Sequence, residues 1–230
     1  MKKLGLVGGM GPISTIDYYQ KLITGFQQKH PQNCPPIVID SLDVFDLLKI
    51  EEKNDRAKLF KIIETSIENL TAAGAEYAAL TANTPHMIFE ELQAASPIPL
   101  ISIIDPICKA ISENQQKKVA LFGTKTTMTL PFYYQVLARE NIEVITPSPK
   151  QIEIIHQIIS TELEKGIVKN ESKKKLLQII ADLKSQADIQ GVILGCTELP
   201  LILQQADCHS VTVYDSVKLH VQELLVQMEA

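Results

Sequence analysis

"KKLGLVGGMG" spans residues 2–11, and "KKVALFGTKT" spans 117–126. Each opens on a lysine pair, runs through a short apolar stretch and breaks at glycine into small or polar residues. Gly9 and Gly123 lie 114 residues apart. A second pair has the same interval: "AALTANTPH" (78–86) and "GVILGCTELP" (191–200) align with Ala82 opposite Cys196, again 114 apart. "PLISIID" (99–105) is echoed by "SVTVYDS" (210–216) at nearly that spacing. A period this long is a duplication, not a solenoid.

The segments between these landmarks alternate in kind. "STIDYYQKLITGFQQ" carries Ile16, Tyr19, Leu22, Ile23 and Phe26 at helical spacing, and "RAKLFKIIETSIENLTAAG" carries Leu59, Ile62, Ile63, Ile67 and Leu70. "PIVIDSLDV", residues 77–81 and "PLISII" read as buried strands, and a helix is expected after Pro85. Apolar strands separated by amphipathic helices indicate an α/β fold with mostly parallel sheets covered on both faces. The sequence thus predicts two similar α/β domains related by a pseudo-two-fold, with an active-site cleft between them. Their expected extents are 1–104 plus 215–230, and 105–214. In open α/β sheets ligands bind at the carboxyl ends of strands. Four such ends carry small polar residues: 8–15, 81–84, 123–127 and 195–198.

Composition narrows the function. The 230 residues are 45% hydrophobic and 21% charged, enough for a sizeable core. A net charge of −5 with no basic block beyond "KKK" at 173–175 argues against a nucleic-acid partner. No apolar run approaches ~18 residues, so no membrane partner is expected. The start "MKKLGLVGGMGP" is broken by Gly8 and Gly9 and reads as a strand rather than a signal peptide, which gives an expected cytoplasmic location. The four cysteines form no CxxC pair and the five histidines show no ligand spacing, so reduced thiols and no metal are expected. "GLVGGMG" lacks GxGxxG spacing, Ser14 standing where the last glycine belongs, and no lysine has a pyridoxal phosphate context. No cofactor is expected.

Cys196 is followed by Thr197 and Glu198. A helix starting there would place the thiol near free N–H groups and a positive dipole end, both of which lower a thiol pKa. The "ANT" turn at 82–84 offers similar N–H groups with the Asn83 amide and the Thr84 hydroxyl, donors suited to a carboxylate.

With these residues in view, the sequence resembles the cofactor-independent aspartate/glutamate racemase family along its whole length. "GLVGGMGPIST" resembles the family's opening motif, "NTPH" part of its first catalytic motif, and "GTKTTM" its second-half opening. "VILGCTELPL" is similar to its second catalytic motif and is the most specific of the four. The resemblance implies two like domains with a cysteine from each at the substrate. One thiolate removes the α-proton, and the other thiol returns a proton to the opposite face. It makes Cys196 the catalytic thiol and Met10, Gly11, Asn83, Thr84, Thr127 and Thr197 substrate-binding residues. It also implies a homodimer and a small acidic amino acid, aspartate or glutamate, as substrate. The other catalytic cysteine falls at Ala82, which moves no proton. Thr81, Thr84 or a bound water then becomes the candidate substitute, and a cysteine replaced by design is a further account. The runner-up is a one-cysteine variant, a decarboxylase or isomerase of a small dicarboxylic acid; a non-catalytic small-acid-binding protein ranks third. "DSLDVFDLLK" offers Ser41, Asp43 and Asp46 where some relatives carry an arginine for the side-chain carboxylate.

The remaining candidates read as structural. His86 orders its loop, His156 faces core or surface, and His30, His209 and His220 lie at the surface. Cys34 and Cys208 are incidental, and Cys108 packs on a helix. Glu198 assists Cys196 or complements a helix dipole. Glu162 and Lys165 sit where relatives place lid or substrate contacts.

Overall fold

The computed structural model describes residues 1–53 and 55–230. The chain divides into two compact units, Met1–Ile103 with His220–Ala230, and Ile104–Leu219.

The first unit holds β1 (Leu4–Gly8), α1 (Pro12–Lys29), β2 (Ile37–Ser41), α2 (Val44–Glu52), α3 (Arg56–Ala72), β3 (Tyr77–Leu80), α4 (Phe89–Ala95) and β4 (Leu100–Ile101). Its four strands lie parallel in the order β2-β1-β3-β4. β1 and β3 are buried along their whole length, as their unbroken apolar sequences require, whereas β2 at the edge is only partly covered. Val7, Ala78, Leu80 and Leu100 form one core with Leu59, Ile63, Ile67 and Leu70 of α3. Asp55 caps that helix by accepting the Lys58 N–H at 3.0 Å.

The α1 stripe read from the sequence is rotated in the structure. Leu22 and Phe26 are buried, but their companions are Ser14, Thr15 and Tyr18, while Ile16 and Tyr19 are exposed. Polar atoms explain the rotation. Ser14 Oγ donates to Thr81 O at 3.0 Å, and Tyr18 OH lies 2.9 Å from His220 Nδ1, so these side chains turn inward to partners.

The second unit holds α5 (Asp105–Glu113), β5 (Lys118–Gly123), α6 (Lys125–Thr129), α7 (Phe132–Arg139), β6 (Glu143–Ile145), α8 (Pro149–Thr161), α9 (Asn170–Ala187), β7 (Gly191–Gly195) and β8 (Thr212–Asp215). Its strands are again all parallel, in the order β6-β5-β7-β8. Second, first, third, fourth is the order in both sheets, so the repeat seen in the sequence is a repeat of topology. The last helix, α10 (Ser216–Glu229), starts in the second unit and from His220 onward belongs to the first.

Strand register corrects one sequence alignment. Leu80 lies beside Val7, and Leu194 beside Phe122. Ala82 and Cys196 therefore each follow such a leucine by two residues, but the counterpart of Gly123 is Gly8 and not Gly9. The turn from β1 to α1 has three residues, that from β5 to α6 has one, and the longer turn hid the offset. Gly9 belongs to that turn: its φ is +81°, and a Cβ there would lie 2.1 Å from Leu42 O, so only glycine fits.

His220 is also not at the surface. It is fully buried with Val221, Leu224 and Met228 on one face of α10. Tyr18 OH meets its Nδ1, and its Nε2 lies 3.0 Å from Ile101 O. A carbonyl can only accept, so Nε2 carries the proton and Nδ1 accepts from the tyrosine. Burial pushes the imidazole pKa down to about 4. Among the described residues no helix is long and apolar enough to cross a membrane.

Candidate active site

Each unit carries two of the four strand ends that the sequence singled out, and Ala82 and Cys196 follow β3 and β7. In the first, the chain leaves β3 through Thr81, Ala82 and Asn83 into a 3-10 turn over Thr84–Ile88. Thr81 is fully buried. Its hydroxyl donates to Val7 O at 3.1 Å, and Thr15 Oγ1 lies 3.2 Å from its Oγ1. Thr15 Oγ1 in turn receives the Gly9 N–H at 2.9 Å. Thr81 thus fastens the strand end to the β1–α1 turn; a hydroxyl buried and bonded in this way does not present itself as the proton donor missing at Ala82.

His86 performs the ordering expected of it. The Ile103 N–H points at Nε2 at 3.0 Å, which makes Nε2 the acceptor; Nδ1 then carries the proton and donates to Ala82 O at 3.0 Å. The ring stacks on Phe89 with centroids 5.0 Å apart. Burial, with His220 as a second cause, lowers its pKa to about 3, so it is neutral near pH 7. Asn83 is buried, and its carbonyl accepts the His86 N–H at 3.0 Å. Thr84 is partly exposed, as are Met10 and Gly11 in the turn after β1. Gly11 O accepts from the Thr15 N–H at 3.2 Å, and Met10 packs against the core.

In the second unit, β7 delivers Cys196 one residue past its end. The thiol is 6% exposed. Sγ donates to Glu198 Oε2 at 3.0 Å, and the Thr197 hydroxyl donates to the same oxygen at 2.7 Å. Only a short 3-10 turn, Leu199–Leu201, follows, held by Leu199 N–H to Cys196 O and Leu201 N–H to Glu198 O. The lowered thiol pKa expected from a helix start is therefore corrected. Burial first, and the Glu198 charge second, push the Cys196 thiol well above its ordinary range; the Glu198 N–H opposes this but is outweighed. Glu164, in the 3-10 turn Leu163–Lys165, adds to the same effect, and its own carboxyl is raised by desolvation and by Glu198. The resting site is a neutral thiol hydrogen-bonded to a carboxylate.

Thr127, expected at the substrate, lies in α6 just after β5. It is fully buried, its Oγ1 lies 3.0 Å from Thr124 Oγ1, and its methyl packs under Gly123 and Gly195. Its job is the one Thr15 does beneath Gly8: supporting a strand end. Glu162 accepts from Ser172 Oγ at 2.6 Å and from Lys169 Nζ at 3.2 Å, while Lys165 is exposed. Asp43 holds the Phe45 N–H at the start of α2, Asp46 pairs with Lys49, and Ser41 ends β2. Among the described residues no three His, Cys, Asp or Glu side chains gather as metal ligands.

Sequence reasoning missed Tyr18 and His220. The signal for His220 was present, since it shares a helical face with Val221 and Leu224 in "SVKLHVQELL".

The family model for Asp/Glu/Hydantoin racemase matches residues 7–224. A broad specificity amino-acid racemase of Bacillus subtilis (strain 168) is 28% identical over 207 residues, 87% of each chain. The crystal structure of an aspartate racemase homologue from Pyrococcus horikoshii OT3 superposes with a TM-score of 0.87 at 36% identity, covering 100% of both chains. Aspartate racemase from Picrophilus torridus shares the fold, with a TM-score of 0.75 at 21% identity over 100% of this chain and 95% of its own.

Proposed function

The chain belongs to the Asp/Glu/Hydantoin racemase family, and from that premise we propose that it racemises an acidic amino acid, aspartate or glutamate, without a cofactor, Cys196 moving the α-proton. The observation that carries this reading is the Cys196 thiol, placed at the end of β7 with a carboxylate 3.0 Å from its sulfur. A proton shuttle needs a group that can both hold and release a proton, and a thiol beside an acceptor is one. The Asn83 amide, the Thr84 and Thr197 hydroxyls and the backbone N–H groups at 82–84 and 196–198 hold the α-carboxylate and stabilise the enediolate that forms when the proton leaves. Met10 and Gly11 contact the rest of the amino acid, and Thr127 supports the thiol from beneath. On the face of Ala82 water supplies the second proton, because Thr81 donates to Val7 O. The working form in the same proposal is a cytoplasmic homodimer.

Ala82 itself favours a second reading: a one-thiol enzyme that protonates a single face, as a decarboxylase or isomerase of a small dicarboxylic acid. One experiment separates the two. The α-proton of L- and D-aspartate and L- and D-glutamate is followed by NMR in D₂O, with chiral analysis of the product. Exchange with inversion supports racemisation. Exchange without inversion, from one enantiomer, favours the one-thiol reading. No exchange with any of the four removes the amino-acid racemase reading.

A further inference from the structure

We infer that Tyr18 and His220 are positioning residues for the proposed reaction, holding the 82–84 turn from behind through the segment Ile101–Ile103 and the His86 ring. The assignment rests on the racemase reading above, in which that turn supplies donors to the substrate. Sheet pairing supports only one flank of the turn. On the β1 side, Thr81 is bonded to Val7 O through its N–H at 3.0 Å and its hydroxyl at 3.1 Å. On the other side β4 is two residues long, and its register with β3 ends where Ile101 lies beside Ala79. Carried on by two residues, that register would set Ile103 beside Thr81. Instead the Ile103 N–H turns to His86 Nε2 at 3.0 Å. Side chains take over here from the ladder.

Four hydrogen bonds run in one direction across this flank. Tyr18 OH donates to His220 Nδ1 at 2.9 Å, and His220 Nε2 donates to Ile101 O at 3.0 Å. The Ile103 N–H donates to His86 Nε2, and His86 Nδ1 donates to Ala82 O at 3.0 Å. Each ring accepts one proton and gives one, which only a neutral imidazole does, and burial keeps both neutral near pH 7. Tyr18, His86, Ile103 and His220 are all buried, so bulk water does not replace a bond lost among them. The last bond reaches the substrate side. The Ala82 carbonyl and the Asn83 N–H belong to one planar peptide unit and point opposite ways, so a ring that holds the oxygen aims the N–H.

Two readouts on the full chain test this: kcat and KM for α-proton exchange of aspartate and glutamate in D₂O, and the ring-nitrogen NMR signals of His86. His220→Phe keeps a ring in place but makes neither bond. Well below its thermal midpoint it should lower kcat/KM for exchange by about tenfold and move the His86 signals, although His86 itself is unchanged. His220→Gln can still donate to Ile101 O and should retain more exchange than the phenylalanine variant. Tyr18→Phe should give the same two shifts at smaller size, which keeps the test decisive if His220→Phe impairs folding. His86→Asn keeps a donor for Ala82 O but offers Ile103 no ring nitrogen; in that background His220→Phe should cost little further exchange, because both changes break one path. A merely structural role lowers the thermal midpoint but leaves kcat/KM of the folded protein and the His86 signals where they were. That result, or an equal loss of exchange from His220→Phe with and without His86→Asn, overturns the assignment and leaves the racemase reading standing. Absence of exchange in the unaltered protein overturns the racemase reading, and with it the reaction that these residues would serve.

Discussion

The end of β3 and the end of β7 occupy the same place in two sheets of identical strand order, yet their polar groups are arranged to opposite effect. After β3 each named group is tied inward. Thr81 bonds to Val7 O, His86 closes a bridge from Ala82 O to the Ile103 N–H, and the imidazole is held neutral. After β7 the thiol and the Thr197 hydroxyl converge on one carboxylate oxygen, and glycine stands at 195 where threonine stands at 81. The common scaffold is a threonine methyl beneath a glycine: Thr15 under Gly8, Thr127 under Gly123. The two halves share this support and differ in the polar groups set upon it. The first end ties its side chains inward to backbone groups, and the second gathers a thiol and a hydroxyl on one carboxylate oxygen.

The largest expected effect removes the active half of this contrast. Cys196→Ala makes both ends alanine and should lower α-proton exchange by at least about 1,000-fold with no change in thermal midpoint, measured by NMR and calorimetry. If exchange persists, the contrast is not the chemical one drawn here. Ala82→Cys makes both ends thiols and should raise inversion relative to simple exchange by about tenfold or more, read by chiral analysis of the product.

Acid should damage the first unit through its buried histidines. The unfolded chain takes up protons on these imidazoles from about pH 6.5 downward. The folded chain does so only near about 3 for His86 and about 4 for His220. Their contribution to stability is therefore complete above about 6.5 and falls as pH drops toward the folded values, by about 1.4 kcal/mol per pH unit for each. Urea unfolding of the protein across this range should show that slope, and His220→Phe should reduce it. The smallest effect is Tyr18→Phe, which leaves His220 Nδ1 without its donor and should cost about 1–2 kcal/mol in the same assay. A comparable loss from a substitution that touches neither histidine would blur the contrast between the two ends.

Much of this architecture was legible in the sequence because period and repetition are coarse signals. The alternation of strand and helix and the recurrence of "KKxxLxG" fix two α/β units, and the spacing of Ala82 and Cys196 marks the two ends. What escaped depends on atoms rather than on pattern. A turn two residues longer shifted the partner of Gly123 from Gly9 to Gly8. Ile16 and Tyr19 look like core residues on a helical wheel, but Ser14 and Tyr18 have polar partners far along the chain and win the inward face. The Cys196 thiol was expected to be acidified. Sequence shows neither that the thiol is buried nor that the Glu198 carboxylate turns back to the sulfur; burial first, and that carboxylate second, reverse the sign.

The last helix has a consequence for how the protein is made. Residues 104–219 form one uninterrupted stretch, whereas the other unit needs residues 220–230. Those eleven residues supply the His220 ring, the Leu224 carbonyl bonded by Tyr77, the Met228 carbonyl bonded by the Lys2 N–H and the Leu225 side chain over Gly25. On the ribosome the stretch translated second is therefore the first to have all of its parts. The part translated first waits, without the His220 ring beside Tyr18 and the Leu224 carbonyl bonded by Tyr77, until those turns of helix emerge. Order of synthesis and order of completion run in opposite directions along this chain.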